Sequence, residues 1–145
     1  MDSPIEILLV EDNLNDVELT LHALKKNHIK NRVEVVHDGA EALDFIFCRG
    51  RYVDRDPTAK PRLILLDLKL PKVDGLEVLK VLKSTDKTRQ IPVVALTSSR
   101  EEIDMHKSYQ LGVNSYIVKP VDLEQFVQAT GQLGLYWLVM NQTAS

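Results

Sequence analysis

Asp67 closes the aliphatic run 63–66, and three further strand-like runs also stop on polar groups. Glu11 and Asp12 follow the run 5–10, Thr97 follows 93–96, and Lys119 follows 116–118. Three carboxylates, a hydroxyl and an ammonium at strand ends are the groups that phosphoryl chemistry needs. Carboxylates held close together raise one another's pKa unless a cation sits between them. A hard divalent cation such as Mg²⁺ meets that need, because it takes one or two carboxylates, several waters and a phosphoryl oxygen. Asp67 could also act as a nucleophile and become an acyl phosphate. The Lys119 ammonium and the Thr97 hydroxyl would then offset charge on the transferred group. Pro120 follows Lys119, and a cis bond between them would aim the lysine inward.

Each of these residues also has an ordinary structural use. A strand-end Asp often forms an Asx-turn or caps a helix. Thr97 could start a turn, Lys119 could be an edge charge, and Tyr116 fits a core position. The ordered conjunction at four strand ends is what favours chemistry. Cys48, His22, His28, His37 and His106 show no metal-ligand spacing.

The elements that must position these groups are legible as alternating strands and helices. The runs 5–10, Val33–Val36, 63–66, 91–96 and 116–118 are short and rich in aliphatic residues. Several lack period-two alternation, as strands buried on both faces do. Asn15 with Glu18 predicts the cap of a first helix, and Asp38 with Glu41 that of a second. Gly75, Leu76, Val78, Leu79 and Leu82 line a third. Ser99 with Glu102 starts a fourth that Gly112 ends, and Asp122 with Gln125 starts a fifth. Five βα repeats predict an α/β fold: a doubly wound, five-stranded parallel sheet of flavodoxin-like (βα)5 type, strand order 2-1-3-4-5. Its ligands would lie at the carboxyl ends of the strands.

Two stretches fall outside the repeat. Segment 49–61 is polar, carries Pro57 and Pro61, and reads as a solvated insertion, with a partner-contact loop as the alternative. The tail 133–140 is apolar for a chain end. It could pack on its own core or form a partner surface.

The 145-residue length suits one domain, with a core over about 5–133 and a tail over 134–145. A net charge of -3 gives no basic footprint for nucleic acid. No apolar run approaches the ~18 residues of a membrane span. Cys48 is the only cysteine, and the acidic start Met1-Asp2-Ser3-Pro4 is unlike a signal peptide, so a cytoplasmic protein is expected.

With these residues in order, the chain resembles the receiver domain of two-component response regulators. The matching stretches are LLVEDN (8–13), ILLDLKLPKVDG (64–75), VVALTSS (93–99) and YIVKPVD (116–122). The resemblance implies Asp67 as phosphoacceptor. It implies Mg²⁺ bound by Asp12, Asp67 and the backbone carbonyl of Lys69, with Glu11 acting through water. Lys119 would pair with the phosphoryl group, and Thr97 would hydrogen-bond it. Tyr116 would turn inward as Thr97 moves, repacking the surface of the fourth helix, fifth strand and fifth helix by population shift. The 49–61 insertion, SYQLGVNSYIVKP (108–120) and Tyr136-Trp137-Leu138 are similar to the small response regulators that partner bacterial phytochrome histidine kinases. Those relatives imply a homodimer. Because the sequence ends soon after the fifth helix, no DNA-binding domain is expected, and output is expected by protein contact or onward phosphotransfer. Lys69 departs from the smaller or apolar residue usual two after the phosphoacceptor. A cation there would block or orient the hydrolytic water.

Three other readings compete. A haloacid-dehalogenase-like phosphatase wants a second Asp at position 69, where Lys69 stands. A flavodoxin-like cofactor binder wants a Ser/Thr/Gly-rich loop after the first strand, where 11–16 is acidic. A phosphate-independent interaction module would not need the full set of site residues.

Overall fold

Five short strands, β1 (Ile7–Val10), β2 (Val33–Val36), β3 (Leu63–Asp67), β4 (Val93–Thr97) and β5 (Ser115–Val118), pair in parallel in the order β2-β1-β3-β4-β5. The computed structural model describes residues 5–26, 29, 31–70, 73–98 and 112–134. Every residue of β1, β3 and β4 is buried, which explains why these strands read as unbroken aliphatic runs. The register aligns Asp67 with Leu96, and Thr97 with Val118. Asp67 and Thr97 are thus the last residues of their own strands, held by the sheet rather than by loops.

Helices α1 (Leu14–Lys26), α2 (Gly39–Ile46), α3 (Gly75–Ser84) and α4 (Leu123–Gln132) cover both faces. Successive strand residues point to opposite faces and so build two cores. Leu9, Leu65, Leu96 and Ile117 join Val17 and Leu24 of α1 and Phe126 of α4. Leu8, Ile64, Leu66 and Ala95 join Phe45 and Ile46 of α2 and Leu79 and Leu82 of α3. Each such Leu, Ile or Phe side chain, fully buried, contributes about 1.5–3 kcal/mol. Helix α4 is the fifth helix of the sequence pattern. The expected fourth helix, from Ser99 and Glu102, lies outside the described residues, as does the tail beyond 134. Gly112, its expected stop, has a φ of +92°, in the left-handed region that glycine favours.

Side-chain caps start the helices. Asp38 Oδ1 accepts from Glu41 N–H at 2.7 Å, and Asp122 Oδ1 from Gln125 N–H at 2.8 Å, as the sequence predicts. The cap of α1 is Asn13, not Asn15: its Oδ1 accepts from Asp16 N–H at 3.0 Å. The helix begins earlier because the Glu11 carboxylate accepts Asn13 N–H at 3.1 Å and fixes the turn directly after β1.

Most of the 49–61 segment is exposed to solvent, as a solvated insertion would be, yet it is also tied to α2. It folds back along α2 as a strap, with a 3-10 turn at Gly50–Tyr52. Tyr52 Oη donates to Glu41 Oε2 at 2.6 Å in the first turn of α2. The Arg55 guanidinium lies 3.7 Å from the centre of the Phe45 ring and donates to the Phe45 carbonyl at 2.6 Å. Lys60 Nζ donates to the Ile46 carbonyl at 2.6 Å. Two cations therefore satisfy carbonyls at the end of α2, where partial negative charge gathers and α2 carries no basic residue of its own.

Candidate functional site

The site is assembled at the carboxyl edge of the sheet. Asp67 is only 4% exposed, yet both of its oxygens are engaged at the pocket. Oδ1 accepts the Lys69 N–H at 2.9 Å and Oδ2 accepts Lys119 Nζ at 3.0 Å. Lys119 Nζ also donates to Glu11 Oε2 at 3.2 Å and to Asp16 Oδ2 at 2.9 Å. The pocket, about 200 Å³, is lined by Glu11, Asp12, Asn13, Asp16, Asp67, Lys69, Ser98 and Lys119.

Close backbone packing makes the pocket possible. A Cβ on Gly75 would fall 2.3 Å from the Asp67 carbonyl oxygen, and one on Gly39 would overlap the Val73 carbonyl. Glycines at the starts of α2 and α3 thus let both helices close onto the loop that follows Asp67. On the far side, β5 is an edge strand. The Gln125 amide accepts Val118 N–H and donates to the Val118 carbonyl, both at 2.9 Å. The Lys119 N–H donates to the Thr97 carbonyl at 2.7 Å. The lysine's backbone is therefore fixed by β4 while Gln125 of α4 fixes the residue before it. The Lys119–Pro120 bond is cis.

The electrostatics are dominated by carboxylates in little water. Glu11 is fully buried, and burial, reinforced by the Asp67 carboxylate, pushes its pKa up to about 7. Burial opposes the charge on Lys119, but the hydrogen bonds and charges of Asp16, Asp67 and Glu11 outweigh it and hold the ammonium above the usual lysine value. Carboxylate oxygens of Glu11, Asp12 and Asp67 come within 4.8 Å of one another. An all-oxygen set with one carboxylate driven toward protonation fits a hard divalent cation.

Most of the residues predicted from sequence meet here. Glu11, Asp12, Asp67, Lys69 and Lys119 line the pocket. Thr97 does not: it is 1% exposed, and Ser98 forms the wall beside it. Thr97 follows Ala95 by two and so shares its face of the sheet, where half-buried Tyr116, the register partner of Ala95, also packs. Sequence reasoning missed Asp16, Ser98 and the bracing role of Gln125. Asp16 stands one helical turn after Asp12, which was the available signal. Gln125 was visible only as a cap partner.

A doubly wound sheet with an acidic, lysine-bridged pocket at its carboxyl edge defines a receiver of the flavodoxin-like class. The chain belongs to the response regulator receiver domain family, which it matches over residues 7–130. Its fold superposes with a TM-score of 0.87 on a bacteriophytochrome response regulator, AtBRR, at 55% identity over 94% of this chain and 96% of that one. Response regulator Rcp1 of Synechocystis is 39% identical over 93% of this chain and 90% of its own length. Its Mn(2+)-bound form gives a TM-score of 0.73 over 93% of this chain and 95% of that one. The phosphorylated cyanobacterial phytochrome response regulator RcpA is 40% identical, with a TM-score of 0.74 over 95% and 96% of the two chains. Among the described residues, no helix is long and apolar enough to cross a membrane.

Proposed function

We propose that this receiver is a phosphorylation-dependent switch in which Asp67 accepts a phosphoryl group from a histidine kinase of the phytochrome type. The carrying observation is that Glu11, Asp12, Asp67 and Lys119 converge on one pocket from separate strand ends. Mg²⁺ would be held by Asp12, Asp67 and the Lys69 carbonyl, with Glu11 reached through water. When bound, the cation supplies charge neutralisation for the incoming phosphoryl group. Asp67 is the nucleophile: a carboxylate oxygen forms the new P–O bond as the donor's bond to phosphorus breaks. Lys119, now bonded to Asp67 Oδ2, transfers that contact to a phosphoryl oxygen.

Thr97 then hydrogen-bonds the phosphoryl group, and Tyr116 on the same face follows it inward. That movement alters the surface formed by the fourth helix, β5 and α4. The altered surface passes the signal to a downstream protein or hands the phosphoryl group onward. The kinase assignment is supported by the likeness to AtBRR and RcpA, both described as phytochrome response regulators. The Mn(2+)-bound form of Rcp1 supports a metal requirement. We further read the chain as a single receiver domain over 1–145, cytoplasmic, homodimeric, without nucleic-acid or membrane contact, and capable of intrinsic autodephosphorylation.

Intact-protein mass after incubation with acetyl phosphate and Mg²⁺ tests the central step. One phosphoryl adduct is expected on the wild type, with none on Asp67→Asn and none when the metal is chelated. The absence of an adduct with both acetyl phosphate and a phytochrome kinase would favour a phosphate-independent interaction module.

A further inference from the structure

Lys119 has three N–H donors, and in this structure three carboxylates take them: Glu11, Asp16 and Asp67. Two of these partners, Glu11 and Asp67, belong to the oxygen cluster that suits a cation. Asp16 stands apart from that cluster. It lies in the first turn of α1, where the helix dipole favours a negative charge, and its contact to the ammonium is the shortest of the three at 2.9 Å. Its side chain is 27% exposed, at the rim, whereas those of Glu11 and Asp67 are 1% and 6% exposed. A cation that draws charge from Glu11 and Asp67 would loosen their hold on Lys119 and leave that of Asp16 intact.

We propose that Asp16 is a resting-state latch on Lys119, holding the ammonium toward α1 until a phosphoryl oxygen on Asp67 competes it away. The inference rests on the phosphoacceptor reading and adds to it a positioning residue that sets how readily the site charges. Asp16 acts through Lys119 and does not touch the reacting atoms. The chemistry is unchanged: Asp67 bonds to phosphorus as acetate leaves the acetyl phosphate donor. What changes is the work of freeing the lysine.

The test is the initial rate of adduct formation with acetyl phosphate and Mg²⁺, followed by intact mass. Asp16→Asn, nearly isosteric and at a rim position, should charge about two- to fivefold faster than the wild type, the range expected for one partly exposed ion pair. Asp16→Glu, which retains the charge, should return most of the way to the wild-type rate. In a Lys119→Ala background, replacing Asp16 should change nothing. Equal or slower charging of Asp16→Asn would overturn the latch while leaving the phosphoacceptor reading standing. A rate gain that persists without Lys119 would overturn it too, because a bulk charge effect would then suffice. No adduct on either protein, with acetyl phosphate or with a phytochrome kinase as donor, would overturn both readings.

Discussion

Glu11 is the residue whose ionisation reports what the pocket holds. In the unfolded chain its proton leaves near the ordinary value of 4.5, whereas the folded site keeps it to about 7. Between those values the folded state binds more proton than the unfolded state. The metal-free protein should therefore lose stability as pH rises through that window, and Mg²⁺ should flatten the slope by replacing the proton. Denaturant midpoints at pH about 5 and about 7.5, with chelator and with Mg²⁺, measure it. Glu11→Gln should be flat in both media, and an equal slope in that variant would assign the effect elsewhere. At this scale the sequence is most informative where a residue terminates an aliphatic run. Asp12, Asp67 and Lys119 are legible that way, because the strand fixes both their position and their exposure. Asp16 is not. Its role depends on how far α1 leans toward β5, a tertiary distance that no local pattern encodes.

The elements separate into those that propensity determines and those that contact determines. Strands β1, β3 and β4 follow from aliphatic runs too short to be helices and too apolar to be loops. Segment 49–61 shows the opposite case. Its polar composition resembles that of a free loop, yet its cations pair with rings and carbonyls of α2, and those partners cannot be read from polarity. Arg55→Ala removes a guanidinium stacked at 3.7 Å on Phe45 together with its bond to the Phe45 carbonyl. The expected cost is about 1–2 kcal/mol, with faster amide exchange in the strap and the last turn of α2. Unchanged stability and exchange would mean that the strap is carried by Tyr52 and Lys60 instead. Helix α1 makes the same point on a smaller scale. Asn13 and Asn15 are equally good caps by residue type, and a hydrogen bond from the backbone of Asn13 to Glu11 decides between them.

For the molecule as a whole, a two-faced sheet leaves assembly to helices, loops and tail. The proposed homodimer is read as forming through the fifth helix together with the apolar tail around Trp137. The wild type should then have twice the chain mass in solution, and Trp137→Ala should shift it toward the monomer, as light scattering would detect. A monomeric wild type at high concentration, or an undiminished dimer in the variant, would remove the tail from the interface. The other candidate route, joining two sheets edge to edge, meets an obstacle at β5. Gln125 offers Val118 one acceptor and one donor at 2.9 Å each, as a neighbouring strand would. A single amide thus stands in for one residue of a neighbouring strand. An exposed strand edge is a template on which further chains can grow. Here that template is occupied at the end nearest Lys119, so another chain cannot extend the sheet there without first displacing a side chain of α4.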